Sequence, residues 1–305
     1  MISRILVPTD FSAQADAALA YARLFGKTFN ASLHLLHVTP HLPPPHAAAN
    51  LPDGGLPALK ELRDRIPRDP WCRYPTVRLA EGTDPASHIT DYAKSASIAL
   101  IVMGTHGRGG VARMVMGSVA ETVVRTAPCP VLTVHGAPGS SLMGFRRILV
   151  PLDFSAASDP ALDAARFLAA RFEASLHLLH VLPEIYVDGG SEAFTAEAPE
   201  VRTLRLMTAR ERLTHRIPVN LRPSRVTTEV IFGAPVETIA AYAADNHFDL
   251  IVIGTHGRKG MAHLLRGSVA ERVVRTAQCP VMTTRTVWTH AEAMFPATDL
   301  VVATA

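Results

Sequence analysis

Two stretches of this chain are near copies of one another. Arg4 to Ser12 reads RILVPTDFS and Arg147 to Ser155 reads RILVPLDFS; Ala31–Val38 and Ala174–Val181 both read ASLHLLHV; and GTHGR opens at Gly104 and again at Gly254. The glycines keep step as well. Gly104, Gly107, Gly117 and Ser118 stand at the same mutual spacing as Gly254, Gly257, Gly267 and Ser268. A plan written twice in 305 residues means two units near the usual domain size, each able to bury roughly 70% of its unfolded surface. The expected division is a first domain over 1–136, a linker over 137–145, a second domain over 146–286 and a tail over 287–305. The linker falls on Gly136 to Gly144 (GAPGSSLMG), whose composition is that of a flexible connection. The tail has no counterpart in the first copy, and both docking against the fold and disorder are open for it.

Within each copy, short apolar runs alternate with helical patterns. Arg4 to Pro8 and Ser32 to Val38 read as strands, with Ala15, Ala18, Leu19, Ala22 and Phe25 at helical spacing between them. After a Pro-rich loop from His41 to Leu56, a helix is expected around Pro57 to Ile66 and a strand near Thr76 to Ala80. Asp84 and Pro85 then suit the cap and first turn of another helix. Ile98 to Met103 and Pro130 to Val134 complete five strands, separated by a helix from Ser118 to Thr126. The second copy repeats the series from Ile148 to Thr284, with seven extra residues after its second strand. Strands alternating with helices, and nearly continuous apolar runs, predict an α/β fold with parallel sheet covered on both faces.

The formal charge of +3 is small for the length and no run of five Lys or Arg occurs, so nucleic acid is not an expected partner. No apolar stretch approaches the roughly 18 residues of a membrane span. Ile2 to Val7 enters a strand pattern at once, without the charged and then apolar order of a signal peptide. A cytoplasmic protein with no membrane partner is expected. Three cysteines without CxxC spacing suggest neither disulfides nor zinc; Cys129 and Cys279, repeat equivalents before apolar runs, read as packing residues.

In parallel sheets of this kind, ligands sit beyond the carboxyl ends of the strands, where strand order reverses. Asp10 and Asp153 follow the first strands and the glycine loops follow the fourth. If those strands are neighbours, carboxylate and loop share one crevice. Gly104 and Gly107, with Gly254 and Gly257, allow positive φ and remove a Cβ, letting backbone N–H groups approach an anion. Gly117-Ser118 opens a helix, and Ser118 with Glu121, like Ser268 with Glu271, fits an S-x-x-E capping box. A helix N-terminus carries unpaired donors and about half a positive charge, which favours phosphate. The plainer reading is a tight turn with a capping serine; it is weakened because the whole spacing is kept twice while the loops around it differ.

The pattern is neither a Walker A loop, since no GK[ST] ends it, nor GxGxxG. Without a Walker lysine or an obvious second acid for magnesium, fast phosphoryl transfer lacks its usual parts. Arg108 and Arg258 are candidates for a phosphate contact or else solvated loop arginines. Asp10 and Asp153 suit ribose hydroxyls or capping of the next helix, and the two roles are compatible. His34 and His37, like His177 and His180, are three apart on a strand and point to opposite faces, so they do not chelate one ion. His106 and His256, inside the glycine loops, are candidates for a phosphate or ribose contact. No nucleophile, base and orienter recur at equivalent positions.

These residues resemble the universal stress protein family in its tandem form, over residues 2–135 and 146–285. The most specific element is similar to the family's ATP-binding signature: Gly, two residues, Gly, nine residues, then Gly and Ser or Thr, satisfied in both copies. ILVPTDFS, ILVPLDFS, CPVLTV and CPVMTT also look like the family's segments. The resemblance implies two Rossmann-like domains of the adenine nucleotide alpha hydrolase type, each a five-stranded parallel sheet of order 3-2-1-4-5. The implied cofactor is ATP, with Mg2+ held mainly by the phosphates. Adenine and ribose contacts are implied near Pro8, Asp10 and Val38, and phosphate contacts from Met103, Gly104, Gly107, Gly117, Ser118 and Val119. The matching positions of the second copy are Pro151, Asp153 and Val181, then Ile253, Gly254, Gly257, Gly267, Ser268 and Val269.

The fifth strands look like the family's pairing edge, so that two domains imitate a homodimer within one chain. A homodimer of tandem chains and a protein partner are further expectations, and the sequence does not identify that partner. The implied function is an ATP-binding stress-response module for signalling or interaction, with at most slow hydrolysis and no catalytic residue. A slow ATPase or nucleotide-transferring enzyme, and a partner-binding protein with vestigial sites, are the competing classes.

Overall fold

The computed structural model of the chain describes residues 2–40, 57–66, 72, 75–105, 116–136, 144–156, 158–188, 194–217, 225–255 and 269–285. The run RILVP forms β1 (Arg4–Pro8), whose three central residues are buried; apolar side chains on successive residues suit a strand covered on both faces. Ser12 caps α1 (Ala13–Phe29), its hydroxyl accepting from the Ala15 N–H at 3.3 Å, and Asn30 ends the helix in a left-handed conformation at φ 52°. There follow β2 (Ser32–Thr39), α2 (Pro57–Asp64), β3 (Thr76–Glu81), α3 (Pro85–Ser95), β4 (Leu100–Gly104), α4 (Ser118–Thr126) and β5 (Val131–Val134). Asp84 caps α3 by accepting from the Ser87 N–H at 3.3 Å, with Pro85 in the first turn.

The second copy runs β6 (Arg147–Pro151), α5 (Ser158–Phe172), β7 (Ser175–Leu182), β8 (Tyr186–Asp188), β9 (Phe194–Ala196), α6 (Pro199–Thr214) and β10 (Val226–Phe232). It closes with α7 (Pro235–Asp245), β11 (Leu250–Gly254), α8 (Val269–Thr276) and β12 (Val281–Thr284). β8 and β9 pair antiparallel between β7 and α6, apart from the main sheet.

The strands form one ten-stranded sheet, in the order β10-β7-β6-β11-β12-β5-β4-β1-β2-β3. The fifth strands are the pairing edge that the resemblance implied, and their pairing joins the two halves into one sheet. β12 runs antiparallel to β5, with Val281 opposite Thr133 and Thr283 opposite Val131. Thr133 Oγ1 donates to the Val281 carbonyl at 3.0 Å, and Thr283 Oγ1 donates to the Val131 carbonyl at 3.3 Å. Repeat-equivalent residues thus exchange the same bond, as across a two-fold interface. The physical reason for fusion is that each fifth strand alone exposes an edge of unpaired backbone groups, and the pairing covers both.

One face of the sheet carries α1, α2, α5 and α6, the other α3, α4, α7 and α8, and both cores run on across the seam. On the first face Phe25, Phe29, Phe145, Phe167 and Phe172 cluster with ring centroids between 5.1 and 6.0 Å apart. Phe145, at the end of the expected linker, is buried there, and the next two N–H groups, of Arg146 and Arg147, both donate to Asp249 Oδ2. On the other face Arg275 meets Glu121 at 2.9 Å across the seam. No helix among the described residues is long and apolar enough to cross a membrane.

Candidate functional site

β1 and β4 are hydrogen-bonded neighbours, Ile5 opposite Leu100 and Leu6 opposite Ile101, so their carboxyl ends open on the same crevice. β1 ends at Pro8, and Asp10 follows in a turn where its Oδ1 accepts the Ser12 N–H at 3.1 Å. Helix capping here belongs to Ser12 rather than to Asp10, which separates the two roles the sequence left open. The turn is held from below by β2: the Thr9 N–H donates to the Leu36 carbonyl at 2.9 Å, and His37 Nδ1 donates to the Thr9 carbonyl at 2.7 Å. A carbonyl only accepts, so this bond fixes the proton on Nδ1. Between Asp10 and Ser12, Phe11 takes φ 65°, a left-handed conformation costing roughly 1–2 kcal/mol for a residue with a Cβ. Its ring packs on His37, centroids 4.4 Å apart. Val38, near the end of β2, is half-buried against the other core.

The glycine motif enters from β4. Met103 is buried, so its side chain belongs to the core and is not available to the crevice. A Cβ at Gly104 would lie 2.8 Å from Gln14 Cβ and 3.0 Å from the Gln14 backbone. Gly104 is therefore required for close approach to α1, and not for the left-handed backbone the sequence suggested, which it does not adopt. The Gly117 N–H donates to the Thr105 carbonyl at 2.8 Å. That bond brings the far end of the motif back onto the end of β4.

Gly117 is the N-cap of α4 at φ −64° and ψ 146°, without a side-chain cap, and Ser118 is the first helical residue. The expected capping box is thus not formed. The Glu121 N–H bonds the Gly117 carbonyl at 3.0 Å while its carboxylate reaches Arg275. The bond to Thr105 sets the helix start one residue early, leaving the exposed Ser118 hydroxyl and the N–H groups of Ser118, Val119 and Ala120 at a helix terminus with no capping partner among the described residues. Gly107, Arg108 and His106 lie outside the described residues.

The second copy repeats this frame around Pro151, at the end of β6. The Leu152 N–H donates to the Leu179 carbonyl at 2.8 Å, His180 Nδ1 donates to the Leu152 carbonyl at 2.6 Å, and Phe154 sits at φ 59° on the His180 ring. Asp153 is tied within its turn. Its Oδ1 accepts the Ser155 N–H at 3.0 Å, the Ser155 hydroxyl at 2.6 Å, and the Ser158 hydroxyl. Val181 matches Val38 in its half-buried setting, Ile253 is buried like Met103, and Gly254 ends β11. Val269 opens α8. His256, Gly257, Arg258, Gly267 and Ser268 lie outside the described residues.

The remaining candidates are accounted for by packing. His34 Nδ1 bonds the Tyr92 hydroxyl at 2.8 Å on the face opposite His37, and His177 bonds Thr227 and Tyr242 opposite His180. Among the described residues no three His, Cys, Asp or Glu gather as metal ligands. Burial pushes the thiols of Cys129 and Cys279 up to about 12, so neither is a nucleophile. Sequence reasoning missed the Phe–His packing under each aspartate turn. Its signal was present in the identical DFS and ASLHLLHV words of both copies.

A model of the universal stress protein family matches residues 1–135 and again 144–285. The chain belongs to the universal stress protein family. A universal stress protein of Mycolicibacterium smegmatis is 28% identical over 299 residues, which span 92% of this chain and 96% of the relative. Universal stress protein Rv2005c of Mycobacterium tuberculosis is 31% identical over 194 residues, 61% of either protein. The crystal structure of a universal stress protein from Archaeoglobus fulgidus superposes with a TM-score of 0.65 at 21% identity, covering 94% of this chain and all of that one. That likeness is one of fold. Within this universal stress protein, both matched segments begin before a first-strand aspartate and end after a fifth strand, so each spans one aspartate turn and one glycine motif.

Proposed function

We propose that this universal stress protein binds ATP in each of its two repeats and acts in the cytoplasm as a nucleotide-dependent stress-response module for signalling or interaction. The observation that carries the reading is the bond from the Gly117 N–H to the Thr105 carbonyl, which closes the glycine motif onto β4 beside the strand that leads into the Asp10 turn. The N–H groups at the start of α4 suit phosphate oxygens, and Asp10 and Asp153 suit ribose hydroxyls as acceptors. ATP would be held by Asp10, Gly104 and the Gly117 to Val119 backbone in the first repeat, and by Asp153, Gly254 and Val269 in the second. Its phosphates would carry Mg2+. The two crevices support a reading of the chain as two units, over 1–136 and 146–286, each with strand order 3-2-1-4-5. Because β5 and β12 already cover each other, any pairing of chains or binding of a protein partner uses other surfaces.

The test is calorimetric titration of ATP into the full chain, with a mass spectrum of the denatured protein as purified. Two binding events and a co-purifying adenine nucleotide are expected. Absence of both overturns the reading.

A further inference from the structure

The two aspartate turns are held by different local bonds but by one shared stack. In the first copy the Phe11 ring packs on the imidazole of His37 and carries the guanidinium of Arg65 over it, 5.0 Å from the ring centroid. In the second, Phe154 packs on His180 at 4.3 Å and carries Arg212 at 4.2 Å. The phenylalanines and histidines are copies in the sequence; the arginines are not. Arg65 lies just beyond α2, a helix of 8 residues, whereas Arg212 lies in the last turn of α6, a helix of 16 residues. This is the stretch in which the copies differ in length. Arg65 also pairs with Asp16 at 2.9 Å and with Glu61 at 3.0 Å, and the counterpart of its Asp16 pair in the second copy is Arg216 with Asp159; the cation over the ring therefore comes from positions one helical turn apart in the two copies.

The stack also explains why the strain persists. A left-handed aromatic residue survives only where its surroundings over-determine it, and a ring gripped by an imidazole and a guanidinium is so determined. Fixing the ring fixes the backbone immediately after the aspartate, and thereby the direction of its carboxylate.

We propose that Arg65 and Arg212 are positioning residues of the two nucleotide sites, each clamping the ring that follows the site's aspartate. The segment after the second strand and the ribose-binding carboxylate then move as one unit, so displacement of α2 or α6 by a partner changes nucleotide affinity. This rests on the nucleotide reading above.

The second copy offers a discriminating test, because α6 is followed closely by a second arginine. Arg216 pairs with Asp159 of α5 and does not stack on Phe154. ATP is titrated into the full chain carrying Arg212→Ala, Phe154→Asn or Arg216→Ala. Asn tolerates the left-handed backbone but has no ring. Arg212→Ala and Phe154→Asn are expected to weaken one of the two sites about tenfold and leave the other unchanged, a change of about 1.4 kcal/mol in binding. Arg216→Ala is expected to leave both sites unchanged. A general loss of stability does not select one site, so the ratio of the two affinities separates positioning from folding. If Arg212→Ala leaves both affinities as in the wild type, or if Arg216→Ala reproduces its effect, the clamp is overturned while the nucleotide reading stands. A wild-type chain that takes up no ATP overturns both.

Discussion

The turns at Asp10 and Asp153 share a backbone and differ in the local donors that reach the carboxylate. Position 158 is Ser, and its hydroxyl bonds Asp153; one repeat earlier position 15 is Ala, which has no hydroxyl to give. Ser155 donates its hydroxyl to Asp153, whereas Ser12 spends its oxygen on the Ala15 N–H as a helix cap. The first copy instead uses Thr9 Oγ1, which accepts the Phe11 N–H at 3.0 Å. The difference teaches that the fold specifies the shape of the turn and leaves its bonding to each copy. A ribose hydroxyl that takes Oδ1 of Asp153 displaces one of three internal donors, which is expected to weaken ATP binding at the second site.

The largest expected effect comes from breaking what joins the copies. Phe25→Ala removes the first copy's ring from a cluster completed by Phe145 and Phe172, and should cost about 3–5 kcal/mol. Calorimetric unfolding should then separate into two transitions; a single transition that merely moves down would mean that the fused sheet, and not the aromatic seam, couples the copies. Next, Gly104→Val forces a Cβ against Gln14 and should cost about 2–3 kcal/mol by overpacking. Titration with ATP should show the first site lost and the second kept. Smaller again, Ser158→Ala should cost about 1.5 kcal/mol, the worth of a hydrogen bond to a charged acceptor, yet raise ATP affinity at the second site by freeing Asp153. Unchanged affinity would show that the carboxylate's internal bonds do not compete with ribose.

Much of this frame was legible in the residues. The alternation of RILVP, an alanine-rich stripe and SLHLLHV yields β1, α1 and β2 because buried strands and amphipathic helices leave distinct periods in sequence. Asp84-Pro85 gave the start of α3 because side-chain capping is local. Ser118 misled for the same reason: its S-x-x-E spacing is locally adequate for a cap, but the N–H of Gly117 is claimed by Thr105 from another strand, and tertiary bonding shifted the helix start. The joining of the halves was legible only through the family resemblance and not from the residues themselves, since Thr133 and Thr283 reveal their exchange of bonds only across the seam. The hairpin of β8 and β9 has strands of 3 residues each, too short for a period of two to register.

The smallest effect distinguishes the histidines of the second strands. His34 on β2 bonds the Tyr92 hydroxyl at 2.8 Å, while His177 on β7 bonds Thr227 Oγ1 at 2.6 Å and the Tyr242 hydroxyl at 3.0 Å, beside the rings of Tyr242 and Phe248. Burial first, and then the charge of Arg147, hold the pKa of His177 down to about 4. Burial, with Arg4 and Arg78 behind it, lowers that of His34 as well. In the unfolded chain each takes up its proton near pH 6.5. Between there and about 4 the unfolded state binds more protons than the fold, so stability falls as pH falls through that window and is level above it. Water still reaches part of the His177 ring, which limits its share to less than about 1 kcal/mol. Urea midpoints measured from pH 7 to pH 4 should therefore slope less in His177→Gln than in the wild type, with a smaller flattening in His34→Gln. Equal flattening would mean that the second hydrogen bond and the Phe248 ring do not set His177 apart, and that the copies differ at their aspartates but not beneath them.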